Sequence, residues 1–187
     1  MRTYTFITEH WVPAALDDVF AFFADPQNLP RLSPPDLDIK LGKVALAAPG
    51  FVPPEYQQRR QQFAGAGSAV EVRFHPPEFG IPMAHTAHIT EFVWGHAFRD
   101  RTSHWPLLRW DHKHEFAALE RNGVRGTLVR DLVRYALGPG WFGVLLHRLF
   151  VRRAIVDMFA YRQRALEKIV GAGALIGHGF TPVEKTA

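Results

Sequence analysis

Between Trp110 and Tyr135 the chain reads WDHKHEFAALERNGVRGTLVRDLVRY, two alternating stretches joined by Asn122-Gly123. A two-residue type I′ turn needs φ > 0 at both central positions, which Asn-Gly supplies at little cost, so this segment predicts a β-hairpin. A turn of that length fixes the register: residues whose numbers sum to 245 face each other. Trp110 then opposes Tyr135, His112 opposes Val133, His114 opposes Asp131 and Phe116 opposes Val129. The other face pairs Asp111 with Arg134 and Glu115 with Arg130. One face is salt-bridged and wet, and the other is aromatic with a His-Asp pair set into it. That profile suits a wall lining a pocket better than a plain core.

The chain has 187 residues, 47% apolar and 21% charged, enough for one domain with a sizeable core. Fifteen Phe and five Trp suggest an aromatic-lined interior. Cysteine is absent, which excludes disulfides and thiolate zinc sites. The first residues alternate rather than forming a signal peptide, and no apolar run reaches a membrane-spanning length. A cytoplasmic location is therefore expected. The net charge of +4 raises nucleic acid as a partner, but the arginines are scattered except near the C-terminus, so nucleic-acid binding is not expected. Nothing in the chain matches G-x-S-x-G, a phosphate loop or a dinucleotide fingerprint, and Gly65-x-Gly67 lacks the helix such a loop needs.

Arg2–Val12 alternates as a strand. A helix follows Pro13 on Leu16, Val19, Phe20 and Phe23, ending at Asp25-Pro26. A short helix runs to Leu32, a second strand over Leu37–Ala47, and a polar helix near Glu55–Gln62 within an irregular stretch. Strands follow at Ser68–Phe74, Met83–Val93 and Ala97–His104, then the hairpin. Gly138-Pro139-Gly140 closes the sheet. Trp141–Val170 is a long helix whose predicted apolar stripe is Leu145, Leu149, Val156, Phe159, Leu166 and Val170. The expected class is α+β: a curved seven-stranded antiparallel sheet wrapped round the C-terminal helix. Residues 1–170 form one domain in this reading, and 171–187 a polar, Gly-rich tail.

The motifs Trp110-x-His112-x-His114-x-Phe116, Gly126-Thr127 and Asp131-x-Val133-x-Tyr135 carry a family resemblance. So do Phe150-Val151-Arg152-Arg153 and Phe159-x-Tyr161-Arg162 near the C-terminus. Together they resemble the START/Bet v 1-like (SRPBCC, helix-grip) superfamily, and within it a bacterial ligand-binding or polyketide cyclase/dehydrase-like subgroup. The superfamily includes lipid carriers, hormone receptors, polyketide aromatase/cyclases and chaperone cofactors. The resemblance thus implies a hydrophobic-ligand pocket more strongly than a reaction.

His114 and Asp131 are the candidate catalytic or ligand-orienting pair, since a carboxylate beside an imidazole fixes its tautomer. A structural pair within the sheet explains the same residues. His112 and His114 form His-x-His on one face, with Asp131 a conceivable third metal ligand, but that spacing is weakly specific and no metal or other cofactor is expected. His85 and His88 point to opposite faces and do not chelate together. The expected pocket lining is Trp110, His112, His114, Phe116, Asp131, Val133 and Tyr135 from the hairpin. Phe74, Phe98 and Phe159 complete it, with Val70 and Val72 beside them. Asp100 lies between Phe98 and Thr102 on a strand whose phase its irregular turns leave open.

The C-terminal helix carries Arg148, Arg152, Arg153, Arg162, Arg164 and Lys168. These are expected to form a solvated face, with contact to an anionic membrane surface as the rival assignment. The function expected is binding of a small hydrophobic or amphipathic molecule between sheet and helix. An aromatase/cyclase-type enzyme using the His-Asp pair, and a membrane-surface or chaperone-type interaction module, are the alternatives. The oligomeric state is left open.

Overall fold

A computed structural model of the chain describes residues 2–77, 80–104, 108–138 and 140–173. Seven antiparallel strands form one sheet: β1 (Thr3–Val12), β2 (Lys40–Ala45), β3 (Ala69–Phe74), β4 (Met83–Val93), β5 (Ala97–His104), β6 (Leu108–Arg121) and β7 (Val124–Leu137). Their spatial order is β1-β7-β6-β5-β4-β3-β2. Helix α1 (Leu16–Ala24) follows β1, and α2 (Gly140–Leu146) and α3 (Arg152–Gly171) follow the sheet. No helix among the described residues is long and apolar enough to cross a membrane.

The hairpin has the expected register, including Trp110 with Tyr135 and His114 with Asp131. Asn122 and Gly123 have φ of 53° and 74°, the left-handed values a type I′ turn requires. Glu115 meets Arg130 at 3.7 Å, whereas Asp111 makes its ion pairs with Arg99 and Arg101 on β5 rather than with Arg134 across the hairpin.

Several expected boundaries shift. The second strand is Lys40–Ala45, because Pro35–Leu37 forms a short 3₁₀ turn that ends at Asp38 with φ 43°. The polar helix in the irregular stretch is a 3₁₀ helix over Pro54–Gln62. The C-terminal helix is interrupted by a π turn at His147–Val151, where the Arg152 N–H donates to the His147 carbonyl. A wide turn adds a residue and rotates everything before it about the axis. The predicted apolar stripe is wrong there: Leu145 and Leu149 are 43% and 58% exposed, and beyond the turn Val156 is 46% exposed because Ile155, one position earlier, takes the inward place. The inward face of α3 is Ile155, Phe159, Arg162, Leu166 and Val170. Arg162, expected on the solvated face, is thus buried. The helix runs on to Gly171, one residue into the expected tail. Pro139 and the tail from 174 onward lie outside the described residues.

Two apolar clusters pack on the concave face. In the first, Phe20 of α1 lies 5.0 Å from Phe116 and 6.0 Å from Phe98, ring centre to ring centre. The second joins Val133, Tyr135 and Leu137 of β7 to Ile155 and Phe159 of α3. Between the two stand His112 and His114.

Candidate functional site

Four strand residues and one helix residue meet at that junction. His112, His114 and Asp131 are buried, and so is Arg162, while Asp100 is nearly so. Asp131 lies opposite His114 across the hairpin, and Asp100 lies opposite His112 on β5. A register shift between Ile89 and Glu91, where β4 pairs with β5, accompanies this phase. Local sequence around Asp100 carries no sign of that bulge.

Each imidazole turns one nitrogen to Asp131 and the other toward Asp100. His112 Nε2 lies 2.9 Å from Asp131 Oδ1, and His114 Nδ1 lies 2.7 Å from the same oxygen, approaching it obliquely. His112 Nδ1 is 3.5 Å and His114 Nε2 3.9 Å from Asp100 Oδ2. Burial holds both imidazoles below their usual pKa and hence neutral; for His112 the neighbouring His114 adds to this, while Asp131 opposes it at both rings. Burial alone would raise the Asp131 carboxyl, but the N–H groups of His114 and His112 hold it well below the usual carboxylate range. Burial raises Asp100, against the attraction of His112 and Arg162. The Arg162 guanidinium lies 5.0 Å above the Phe159 ring, and its Nε is buried without a hydrogen-bond partner.

Most of the predicted lining surrounds this cluster. Phe98 is 4.3 Å and Phe116 6.4 Å from His114, while Trp110 is 6.0 Å and Phe159 5.5 Å from His112. Val133 and Tyr135 belong to the Phe159 cluster. Phe74 does not join them; its ring packs on His85. The sheet order puts β3 three strands from β6, roughly 14 Å away at strand spacing. Asp131, considered as a third metal ligand, occupies the back of both imidazoles, and the side toward which their other nitrogens point belongs to Asp100.

A groove of about 350 Å³ opens between β1, β7 and the C-terminal helix, lined by Tyr4, Thr5, Phe6, Tyr135, His147, Arg152, Ile155 and Val156. Tyr4 stacks on His147 with ring centres 3.6 Å apart, and the Tyr135 hydroxyl is 3.1 Å from His147 Nδ1. The Tyr4 hydroxyl is buried with no partner. Of the predicted lining only Tyr135 reaches this groove. A second cleft of about 420 Å³, at Asp25–Gln27, Leu46 and Gln61–Gln62, involves none of it.

Sequence reasoning missed Arg162, Tyr4 and His147 as site residues. For Arg162 a signal existed: Ile155, Phe159, Arg162 and Leu166 recur at helical spacing, so an Arg in that row faces inward. For Tyr4 and His147 there was none, because their meeting depends on β1 pairing with β7 and on the π turn.

No protein-family profile matches the chain, and no curated protein matches it in sequence. Solved structures resemble it in fold. Ms6760 from Mycobacterium smegmatis is 16% identical, with a TM-score of 0.56 and 91% of each chain covered. Norcoclaurine synthase from Thalictrum flavum, solved in complex with dopamine and hydroxybenzaldehyde, is 14% identical, with a TM-score of 0.56 over 89% of this chain and 88% of that one. The di-domain ARO/CYC StfQ from the steffimycin biosynthetic pathway is 14% identical, with a TM-score of 0.62 over 93% of this chain and 53% of that one, so the chain spans about half of StfQ. The likeness shows the fold: this chain has the Bet v 1-like, helix-grip architecture.

Proposed function

We propose that this helix-grip domain binds a small amphipathic molecule in the groove between β1, β7 and the C-terminal helix. The observation that carries this is a groove of about 350 Å³ in which an apolar wall adjoins Tyr135, His147 and Arg152. The groove volume falls in the usual range for small-molecule sites, which mix apolar walls with a few convergent polar groups. Phe6, Ile155 and Val156 supply apolar wall, and Tyr4, Tyr135, His147 and Arg152 the polar end. The Arg152 guanidinium suits a ligand carrying an acceptor or an anionic group. Norcoclaurine synthase, with the same fold, was solved with two small aromatic molecules, which is consistent in size.

The test is native mass spectrometry and organic extraction of freshly purified protein, followed by titration with anilinonaphthalene sulfonate, an apolar anion. A co-purifying molecule or saturable probe binding is expected, and both should be lost in Ile155→Trp, which fills the groove. Absence of saturable binding, or full binding by folded Ile155→Trp, would remove the groove from the function.

A second reading is supported by the helix surface beside the groove. Trp141 is 77% and Phe142 52% exposed, with Leu145 and Leu149 also exposed and Arg148, Arg152 and Arg153 nearby in sequence. Apolar residues interleaved with arginines suit the interface of an anionic bilayer. Sedimentation with phosphatidylserine vesicles at low salt should retain the protein, and Trp141→Ser with Phe142→Ser should release it. Equal retention of both proteins would count against this surface.

A further inference from the structure

We infer that Asp100, His112 and His114 bind one divalent first-row transition-metal ion, with Asp131 orienting both imidazoles from behind. One ligand atom from each of Asp100, His112 and His114 lies within 4.8 Å of the other two, and Asp100 Oδ2 is 3.5 Å from His112 Nδ1 and 3.9 Å from His114 Nε2. In a tetrahedral site with metal–ligand bonds of about 2.0–2.1 Å, donor atoms stand roughly 3.3 Å apart. The Asp100–His112 separation of 3.5 Å already approaches that value, and the 3.9 Å to His114 needs only a small rotamer adjustment.

The orientation of the rings is the stronger argument. A histidine that ligates a metal usually donates its other N–H to a carboxylate, which fixes the tautomer and aims the free lone pair. Here one oxygen, Asp131 Oδ1, faces His112 Nε2 and His114 Nδ1 together. His112 makes a hydrogen bond to that oxygen, whereas His114 Nδ1 reaches it only obliquely and without one; the second nitrogen of each ring faces Asp100. The ring centres are 3.9 Å apart, so two converging lone pairs repel unless a positive centre lies between them and the carboxylate. The ligands stand on adjacent paired strands, His112 directly across from Asp100 and His114 two residues along the same face. Such a site is built into the sheet rather than assembled from loops.

Two imidazoles and one carboxylate, without thiolate, suit zinc, iron or cobalt over calcium or magnesium, which prefer oxygen ligands. Three protein ligands leave at least one coordination position open. The buried Arg162 guanidinium lies 5.0 Å above the Phe159 ring, which itself is 5.5 Å from His112, so its charge stands beside the site. The charges of a divalent ion and Arg162 exceed those of Asp100 and Asp131 by one, so the open position favours an anionic group. This inference is independent of the groove and survives its failure.

The test uses the full chain, stripped with EDTA, dialysed, and titrated with Co²⁺ and then Zn²⁺. The expected result is one Co²⁺ per chain with visible d–d absorption, displaced by Zn²⁺. In the unmutated protein, Zn²⁺ should shift the ring nitrogens of His112 and His114 in ¹⁵N spectra and leave the other eight of the ten histidines unmoved. Asp100→Ala should abolish the Co²⁺ spectrum, while Asp131→Asn should weaken affinity about 10- to 100-fold and keep the stoichiometry. No saturable binding of either ion up to about 1 mM would overturn the site. So would Zn²⁺ shifts confined to other histidines, a result that does not depend on any variant folding.

Discussion

Asp131→Asn tests how the buried polar cluster is held. The substitution keeps shape and volume but removes the charge from an oxygen facing His112 Nε2 at 2.9 Å and His114 Nδ1 at 2.7 Å. A hydrogen bond to a charged group contributes about 2 kcal/mol net and a neutral one about 1, so weakening the His112 bond costs about 1 kcal/mol, and loss of charge from the oblique 2.7 Å contact of His114 brings the total to about 2 kcal/mol. Relief from burying a carboxylate works the other way. It is offset because Arg162, also buried in this cluster, keeps its charge with one fewer counter-charge nearby. For a chain of this size about 2 kcal/mol lowers the melting temperature by about 4–8 °C. The assay is thermal unfolding at neutral pH by circular dichroism, with EDTA present so that metal binding does not contribute. A melting temperature that is unchanged or raised would refute the reasoning. It would mean that the carboxylate is a net cost to the fold, not anchored by its imidazoles.

Phe159, 1% exposed, packs between Phe6 and His112, so Phe159→Ala should cost about 3–5 kcal/mol in urea unfolding; a loss below about 1 kcal/mol would contradict that packing. An alanine Cβ at Gly126 would run into the Trp11 ring and the Val12 carbonyl of β1, so Gly126→Ala should lower the melting temperature and expose β1 to faster amide exchange; unchanged exchange would argue against that close approach. Burial holds His10 below its usual pKa, with Glu167 and Asp131 opposing it and Arg121 reinforcing it. The unfolded chain therefore binds the proton more readily, and stability should fall as pH drops through about 6.5. His10→Leu should flatten the stability–pH slope between about pH 7 and 5, and an identical slope would exclude His10 as its source. Tyr135→Phe removes only the hydroxyl beside His147, so stability should fall by about 1 kcal/mol or less while the anionic probe binds more weakly; equal probe affinity would take that hydroxyl out of the site.

The hairpin and its consequences were legible because they are local. Asn122-Gly123 sets the turn, the turn sets the register, and the register alone brings His114 opposite Asp131. The helix-grip class followed from the order of elements. At Leu145 and Leu149 the stripe of the C-terminal helix was misread because the π turn at His147–Val151 breaks the 3.6-residue count on which any such reading depends, and at Val156 because its neighbour Ile155 fits the inward row instead. Phe74 was misplaced because alternation assigns a face and carries no information on how many strands separate two residues of that face.

The sequence by itself determined which side chains of β6 and β7 point inward and that an imidazole meets a carboxylate there. These outcomes depend on contacts across a two-residue turn. The tertiary structure decided that Asp100 faces the same histidines, that Arg162 is buried over the Phe159 ring beside them, and that Tyr4 and His147 meet in a groove. Those meetings join residues far apart in the chain. Helical spacing marks Arg162 as facing inward, but what it faces, like the other meetings, is set by strand order, by the bulge in β4–β5 pairing and by the docking of one helix, and local sequence carries no record of these.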